Sequence, residues 1–350
     1  MSGSGYLARV FGAVFVFGYR WRVRHPLWAA LMANMRSTPS AGLLEPGLRV
    51  ARQLGMAWTL TWIVLFIDAV WLLLGGWSIS GRGVAAIALA AAAFLAPLAI
   101  SRYRRDLRIH TTVRVAALLI VFQAAGATLS YLVISTNAAL IDAPLAAWDR
   151  ALGFDWLALQ SWLQSHPTAQ ATLRFAYQSG LIQLVFVILF LGFTARAERL
   201  DQFMRLFIVA TLLTIILSGP FPAAGAWKYY ALPGPFNLSS LSHFELLRDG
   251  HLRDIPLGNM QGLISIPSLH SAMAVLLVHS MRGTRLLPAF VVLNAAMLAS
   301  TPIDGSHYFV DVLAGVVLAI GLIELDRRRG ARPAMAVKAL PASGLGTLRR

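Results

Sequence analysis

The chain contains no cysteine, and only 13% of its 350 residues are charged. The missing thiols exclude a disulfide framework, a thiolate nucleophile and any cysteine-based metal site. The scarcity of charge excludes more, because soluble domains carry about 25% charged residues. With 57% of the chain hydrophobic, too little polar surface remains to cover a globule in water. Acidic residues are half as many as basic ones, 15 against 30, which leaves a net charge of +15. That excess is not gathered into a patch that would suit nucleic acid. It is scattered over short segments between apolar runs.

Those runs are what the sequence has in place of a polar surface. A spanning helix needs about 20 mostly apolar residues, and eight candidates occur: 56–75, 83–101, 113–135, 176–195, 203–221, 267–282, 286–301 and 308–325, of which the sixth and seventh are short. The fold class expected is therefore an all-α integral membrane protein with about eight transmembrane helices. The apolar stretch between Arg9 and Arg20 is too short to span, and no A-x-A-like cleavage site follows it. Residues 1–55 read as a cytoplasmic, partly surface-lying segment whose Arg20, Trp21, Arg22, Arg24 and Trp28 suit an anionic membrane face. Lysine and arginine in the loops set the orientation. With the N-terminus inside, 24 of the 30 basic residues fall inside. Only Arg82, Arg150, Arg174, Lys228, Arg248 and Arg253 fall outside. A multi-pass cell-membrane protein with both ends in the cytoplasm is expected.

Two outside segments are long. In 136–175, Trp148, Leu152, Trp156, Leu159 and Trp162 recur near helical spacing, which predicts an interfacial amphipathic helix over about 145–165. The other, 222–266, is long enough to suggest a function of its own. Pro267-Ser268-Leu269-His270 opens the sixth helix, and Gly305-Ser306-His307-Tyr308-Phe309-Val310-Asp311 opens the eighth. The charge-derived topology puts both openings outside, so three catalytic-type side chains arrive at one depth on one side. His307 and Asp311 are at i and i+4, on one helix face. Asp311 can hold one ring nitrogen and leave the other free to attack, the orienter logic of a triad with histidine as nucleophile. His270 lies in the first turn of a helix, where outward N–H groups favour phosphate, and it is placed to protonate a departing oxygen. Ser268 is a candidate cap of that helix.

With these motifs in view, the chain resembles the type 2 phosphatidic acid phosphatase superfamily of membrane lipid phosphatases and phosphotransferases. Pro267-Ser268-x-His270 matches its second motif. Ser300, His307 and Asp311, followed by Val312-Leu313-Ala314-Gly315, match its third. The resemblance covers roughly 113–325, whose six helices correspond to the family core; 56–101 would supply two additional helices, and 326–350 a basic cytoplasmic tail. The patterns PSLHS and HYFVD look more like the branch containing inositol phosphorylceramide synthase. The resemblance implies that His307 forms a phosphohistidine, Asp311 orients it and His270 protonates the leaving group. Two family positions differ. Lys228 is followed at the seventh position by Pro235, so the first motif is absent, and Thr301 stands where the third motif has its phosphate-binding arginine.

The expected activity is that of an enzyme acting on lipid phosphate esters, as phosphatase or phosphotransferase, with its active site extracytoplasmic. Its partners are the bilayer, a lipid phosphate or phospholipid and an alcohol acceptor lipid, with no nucleic acid. No cofactor and no metal are expected, since no carboxylate pair or His/Asp cluster for a metal pair is visible. Of the outward cations, Lys228, Arg248 and Arg253 lie in the loop that enters the sixth helix and are the phosphate-binding candidates, with Ser268. The alternatives are a non-catalytic lipid-binding relative, which needs no complete His270, His307 and Asp311 set, and a transporter, for which the intramembrane Asp68 is the best support.

Overall fold

The computed structural model describes residues 44–232 and 237–331. The expected surface segment around Arg20–Trp28, the loop residues Pro233, Gly234 and Pro235, and positions 332–350 of the tail lie outside the described residues. The apolar runs are helices: α1 (Leu44–Gly75), α2 (Gly81–Leu95, extended by a 3-10 turn over Ala96–Ala99), α3 (Ser101–Arg105), α4 (Leu107–Ile134), α5 (Asp142–Ala151), α6 (Trp156–Gln164), α7 (Pro167–Phe193), α8 (Ala197–Ser218), α9 (Ala226–Tyr229), α10 (Asn237–Arg248), α11 (Leu269–Ser280), α12 (Leu287–Asp304) and α13 (Phe309–Ala331). Their starts are chemically marked. Asp106 accepts the N–H groups of Arg108 and Ile109 at the head of α4, and Pro167 opens α7, where its missing donor costs nothing.

Among the described residues, six segments are long and apolar enough to cross a membrane: Gly55–Gly75, Gly81–Ala99, Leu107–Ile134, Pro167–Phe193, Ala197–Ser218 and Leu287–Asp304. The chain is an all-α integral membrane protein. Large apolar side chains such as Leu73, Leu74 and Leu89 are more than 70% exposed, as a hydrocarbon solvent permits. The other two expected spans are helical but different in kind. α13 has 23 residues, with Asp311 in its first turn and Glu324 and Asp326 near its far end. α11 has only 12 residues. It rises about 18 Å, well short of the ~30 Å hydrocarbon layer. It is nonetheless the centre of the bundle. Ala272, Met273, Leu276 and Leu277 are buried in the main core with Leu118 and Phe122 of α4, Leu184 and Val187 of α7, and Phe203 and Phe207 of α8.

Loops that are distant in the chain are tied to one another. β1 (Ser78–Ile79), just after α1, pairs in parallel with β2 (Asp254–Ile255) of the 222–266 loop, and Ser78 Oγ donates to Asp254 Oδ1 at 2.8 Å. Gln202 donates to Asp326 at 2.6 Å and Arg282 to Gln202 at 2.5 Å. Arg205 pairs with both Asp201 and Asp326.

Where one interfacial helix was expected over about 145–165, there are two, α5 and α6. Gly153 between them has φ +78°, a backbone that glycine alone adopts cheaply. Asp155 then caps α6 by accepting Ala158 N–H at 2.9 Å. The break reorients the tryptophans: Trp148 and Trp162 remain about half exposed, whereas Trp156 is buried at 2%.

Candidate active site

The site is built where the starts of α11 and α13 meet. Ser268 caps α11, its Oγ accepting Ser271 N–H at 3.3 Å. α13 is capped twice. Asp311, in its first turn, reaches back to accept Tyr308 N–H at 3.0 Å. Asp149 of α5 accepts Phe309 N–H at 2.8 Å and Val310 N–H at 2.9 Å, one on each carboxylate oxygen. Free N–H groups at a helix start attract anions, so a buried carboxylate there is in its natural place. Burial raises the Asp149 carboxyl above the usual range, and its two N–H bonds pull the other way. The two helix starts touch because residue 315 is glycine. A Cβ there would lie 2.3 Å from the Ser268 carbonyl oxygen. Ser268 N–H instead donates to the Asp311 carbonyl at 3.0 Å.

This contact brings the three expected side chains together. His307 Nδ1 lies 3.4 Å from Asp311 Oδ2, with both residues buried. Ser265 Oγ donates to the same oxygen at 2.5 Å. The second ring nitrogen of His307, Nε2, faces Ser268 Oγ at 3.4 Å. The consistent hydrogen assignment has Nδ1–H donating to Asp311 and the Nε2 lone pair turned toward Ser268. Half-buried His270, two residues on, stacks on Tyr177 of α7, with ring centroids 4.3 Å apart, and its Nδ1 lies 3.3 Å from the Tyr177 hydroxyl.

The loop before His307 is held from both sides. Trp156 Nε1–H donates to the His307 carbonyl at 3.2 Å. Ala226 N–H donates to the Ser306 carbonyl at 2.9 Å, and Trp227 N–H to Ser306 Oγ at 3.0 Å. Asp142 accepts the Tyr308 hydroxyl and the N–H groups of Ala224 and Gly225, each at 2.9 Å. One carboxylate thus ties α5, the 222–266 loop and the residue beside His307 into a single unit.

The phosphate-binding candidates are divided. Lys228 of α9 forms an ion pair with Glu245 of α10. Burial presses its ammonium below the usual lysine range, and Asp142 and Arg248 act on it in opposite directions. Arg248 lies over the Phe244 ring, with its charge within reach of Asp142. Arg253 lies 4.8 Å over Trp77 and donates to the Gly75 carbonyl, so it is fastened to the end of α1. Arg248 and Arg253 together line a cavity of about 340 Å³ with Trp71, Trp77, Ser135 and Thr136. Asp68, the intramembrane carboxylate of α1, is buried at 4% exposure, about two helical turns before the Gly75 end of that helix.

Sequence reasoning passed over Tyr177, Ser265, Asp142 and Asp149. It counted Arg174 only among the outside cations. Arg174 lies one turn before Tyr177 on α7 and pairs with Asp304, three residues before His307, at 3.4 Å. The available signal was the spacing of Arg174 and Tyr177, i and i+3, at the head of a spanning helix. Among the described residues no group of three or more His, Asp or Glu side chains is arranged to hold a metal ion.

No curated protein and no solved structure matches the chain. The family model of the PAP2 superfamily matches residues 143–325, from the surface helix α5 through both histidine motifs to the last turns of α13. Over half of the sequence, with His270, His307 and Asp311, therefore lies in the matched region, and the chain belongs to the PAP2 superfamily.

Proposed function

We propose that this protein is a membrane enzyme that cleaves lipid phosphate esters through a phosphohistidine at His307. Membership of a superfamily of phosphatases and phosphotransferases sets the reaction class. The observation that carries the finer reading is the buried His307–Asp311 pair, with its second ring nitrogen unclaimed by any carboxylate. Nε2 of His307 attacks phosphorus and the ester P–O bond breaks. His270 gives its proton to the departing alkoxide. A water or a second alcohol then attacks the phosphohistidine, returns a proton to His270 and releases His307. Hydrolysis and headgroup transfer, including transfer of the inositol phosphorylceramide synthase kind, differ only in that last acceptor. The chemistry asks for no metal.

Ser268, His307 and Asp311 also stand in the order of a serine triad. Ser268 is wholly buried and its oxygen is engaged by Ser271 N–H, which favours His307 as the nucleophile. The two readings leave different adducts. Protein quenched during turnover of a radiolabelled lipid phosphate should carry phosphate that is lost in acid and absent from His307→Ala. An acid-stable adduct abolished by Ser268→Ala overturns the histidine reading. A panel of phospholipids and isoprenyl diphosphates, scored for free phosphate against new lipid, separates hydrolysis from transfer.

The location that goes with this reading is the cell membrane, with both termini cytoplasmic and the histidines extracytoplasmic. The chain divides into an N-terminal segment (1–55), two additional helices (56–101), a catalytic core (113–325) and a basic tail (326–350). Because the chain has no native cysteine, single cysteines at Asn237 and Gly330 report sidedness directly. An impermeant thiol reagent on intact cells should label position 237 and spare 330; the reverse pattern overturns the orientation.

The cations of the phosphate cage come from the 222–266 loop, with Arg174 as a further source. An arginine grips phosphate through two parallel bonds, which lysine cannot reproduce. Arg248→Lys should therefore lose about tenfold or more in kcat, corresponding to about 1.4 kcal/mol of barrier. If Arg248→Lys, Lys228→Ala, Arg253→Ala and Arg174→Ala all stay within about threefold of wild type, these side chains are not the cage.

A further inference from the structure

Tyr177 occupies a position that the histidine mechanism alone does not explain. Its ring lies face to face with His270, 4.3 Å between centroids and 22° between planes. Its hydroxyl is 3.3 Å from His270 Nδ1. The same hydroxyl lies 3.0 Å from the Cβ position that Gly305 leaves empty, and His307 Cδ2 lies 2.6 Å from that point. The phenol oxygen is thus beside both histidine rings, in a gap kept open by a glycine. No other side chain of the described site is placed against His270 in this way. The remaining hydrogen bonds of the site converge on His307, Tyr308 and Asp311.

Resting on the phosphohistidine reading above, we infer that Tyr177 is the positioning residue of the acid–base histidine, holding the His270 ring so that Nε2 alone exchanges protons with the substrate. The argument is one of hydrogen-bond capacity. A phenol both donates and accepts. When His270 has given up its Nε2 proton, the ring keeps the proton on Nδ1, which donates to the Tyr177 oxygen and leaves Nε2 with a lone pair. When His270 is the imidazolium, Nδ1–H donates to the same phenol oxygen. The one partner serves both protonation states without moving, so the histidine can act first as acid and then as base with its ring fixed. A carboxylate in that place would add a negative charge that stabilises the imidazolium, as Asp311 does for His307, whereas the neutral phenol leaves His270 readier to release its proton. The stacking supplies the other constraint: it fixes the ring plane, and with it the direction in which Nε2 points. The two histidines are thereby differentiated by their partners, a carboxylate for the one that attacks and a phenol for the one that shuttles a proton.

Tyr177→Phe keeps the stacked ring and removes only the hydroxyl; Tyr177→Leu removes both. A group that acts through proton donation matters for a poor leaving group and is dispensable for a good one. Against a lipid phosphate with an alkoxide leaving group, Tyr177→Phe should lose about 10-fold to 100-fold in kcat, below the ~10²–10⁴ that a general acid contributes outright. Against p-nitrophenyl phosphate it should remain within about threefold of wild type. Equal losses on both substrates would indicate a merely structural role and overturn the inference, as would no loss on either. His307→Ala run in parallel separates the two failures. If it keeps full turnover, the phosphohistidine reading falls. If it is dead while Tyr177→Phe shows no leaving-group selectivity, only the assignment of Tyr177 falls. A second measurement needs no turnover: ¹⁵N spectra of histidine-labelled protein in detergent, with the His270 signals identified by their loss in His270→Gln. Removing the Tyr177 hydroxyl should shift the His270 Nδ1 resonance, and an unchanged resonance overturns the inference.

Discussion

His307→Ala loses about 10⁴-fold or more in kcat on any lipid phosphate the enzyme turns over, with the folded protein retained. The size follows from the role. Removing the nucleophile of a coupled set removes nearly the whole contribution of that set, and what remains comes from substrate positioning alone. Retention of the fold follows from how the segment is held. His307 contributes its carbonyl to Trp156 and its ring to Asp311 and Ser268. The backbone on either side is fixed by Ser306, Tyr308 and Asp149 instead. Single-turnover kinetics on purified protein, with thermal unfolding alongside, read both halves of the expectation. Full activity in the variant sinks the mechanism.

Asp311→Asn should cost about 10³-fold or more in kcat at nearly unchanged stability, an effect on chemistry that geometry alone does not produce. Asp311 Oδ2 receives Ser265 Oγ–H, Tyr308 N–H and His307 Nδ1–H, whereas Oδ1 is buried without a hydrogen-bond partner. An asparagine can therefore keep its carbonyl oxygen in the Oδ2 position and turn its NH₂ into the place of Oδ1. The three donors stay satisfied, and the negative charge is what disappears. That charge stabilises the cationic imidazole as the N–P bond forms, the part an orienting aspartate plays in a triad. The check is kcat together with the melting temperature in the same detergent. A large loss of stability with unchanged kcat in the surviving fraction would make Asp311 a cap of α13 and nothing more.

The legible and illegible parts of the molecule divide along physical lines. Among the described residues, the six helices long and apolar enough to cross could be read because hydrocarbon demands long apolar runs, and such runs are visible in one dimension. The nearness of His270, His307 and Asp311 could be read because each motif is local and each opens a helix. The unit around them could not. Ser265 reaches Asp311 across 46 positions, Asp149 reaches Phe309 across 160, and Asp142 reaches Tyr308 across 166. Nothing in the spacing of a single sequence encodes those pairings. Asp149 lies within the stretch expected as one amphipathic helix, and a carboxylate that will cap another helix carries no local mark. The glycine at 153 was visible, but whether it would bend one helix or separate two depends on what Trp156 packs against. The β1–β2 pair is two residues long, too short to show any alternation. The motif positions that differ from the family left the phosphate cage open, and Arg174 drew no attention because its partner Asp304 lies at the far end of another helix.

The double anchoring of α5 also decides how the molecule opens. Proteins loosen in contiguous cooperative units rather than residue by residue, and the amides of one unit share one opening free energy. Asp142 and Asp149 lie seven residues apart on α5 and hold backbone or side-chain donors at 224, 225, 308, 309 and 310. Fraying of α5 would strand those donors in a buried place, at roughly 1–3 kcal/mol each. The surface helix, the loop turn at Gly225 and the first turn of α13 are consequently one opening unit, and hydrogen exchange should find their amides exchanging together, although more than 150 residues of chain separate the first from the last.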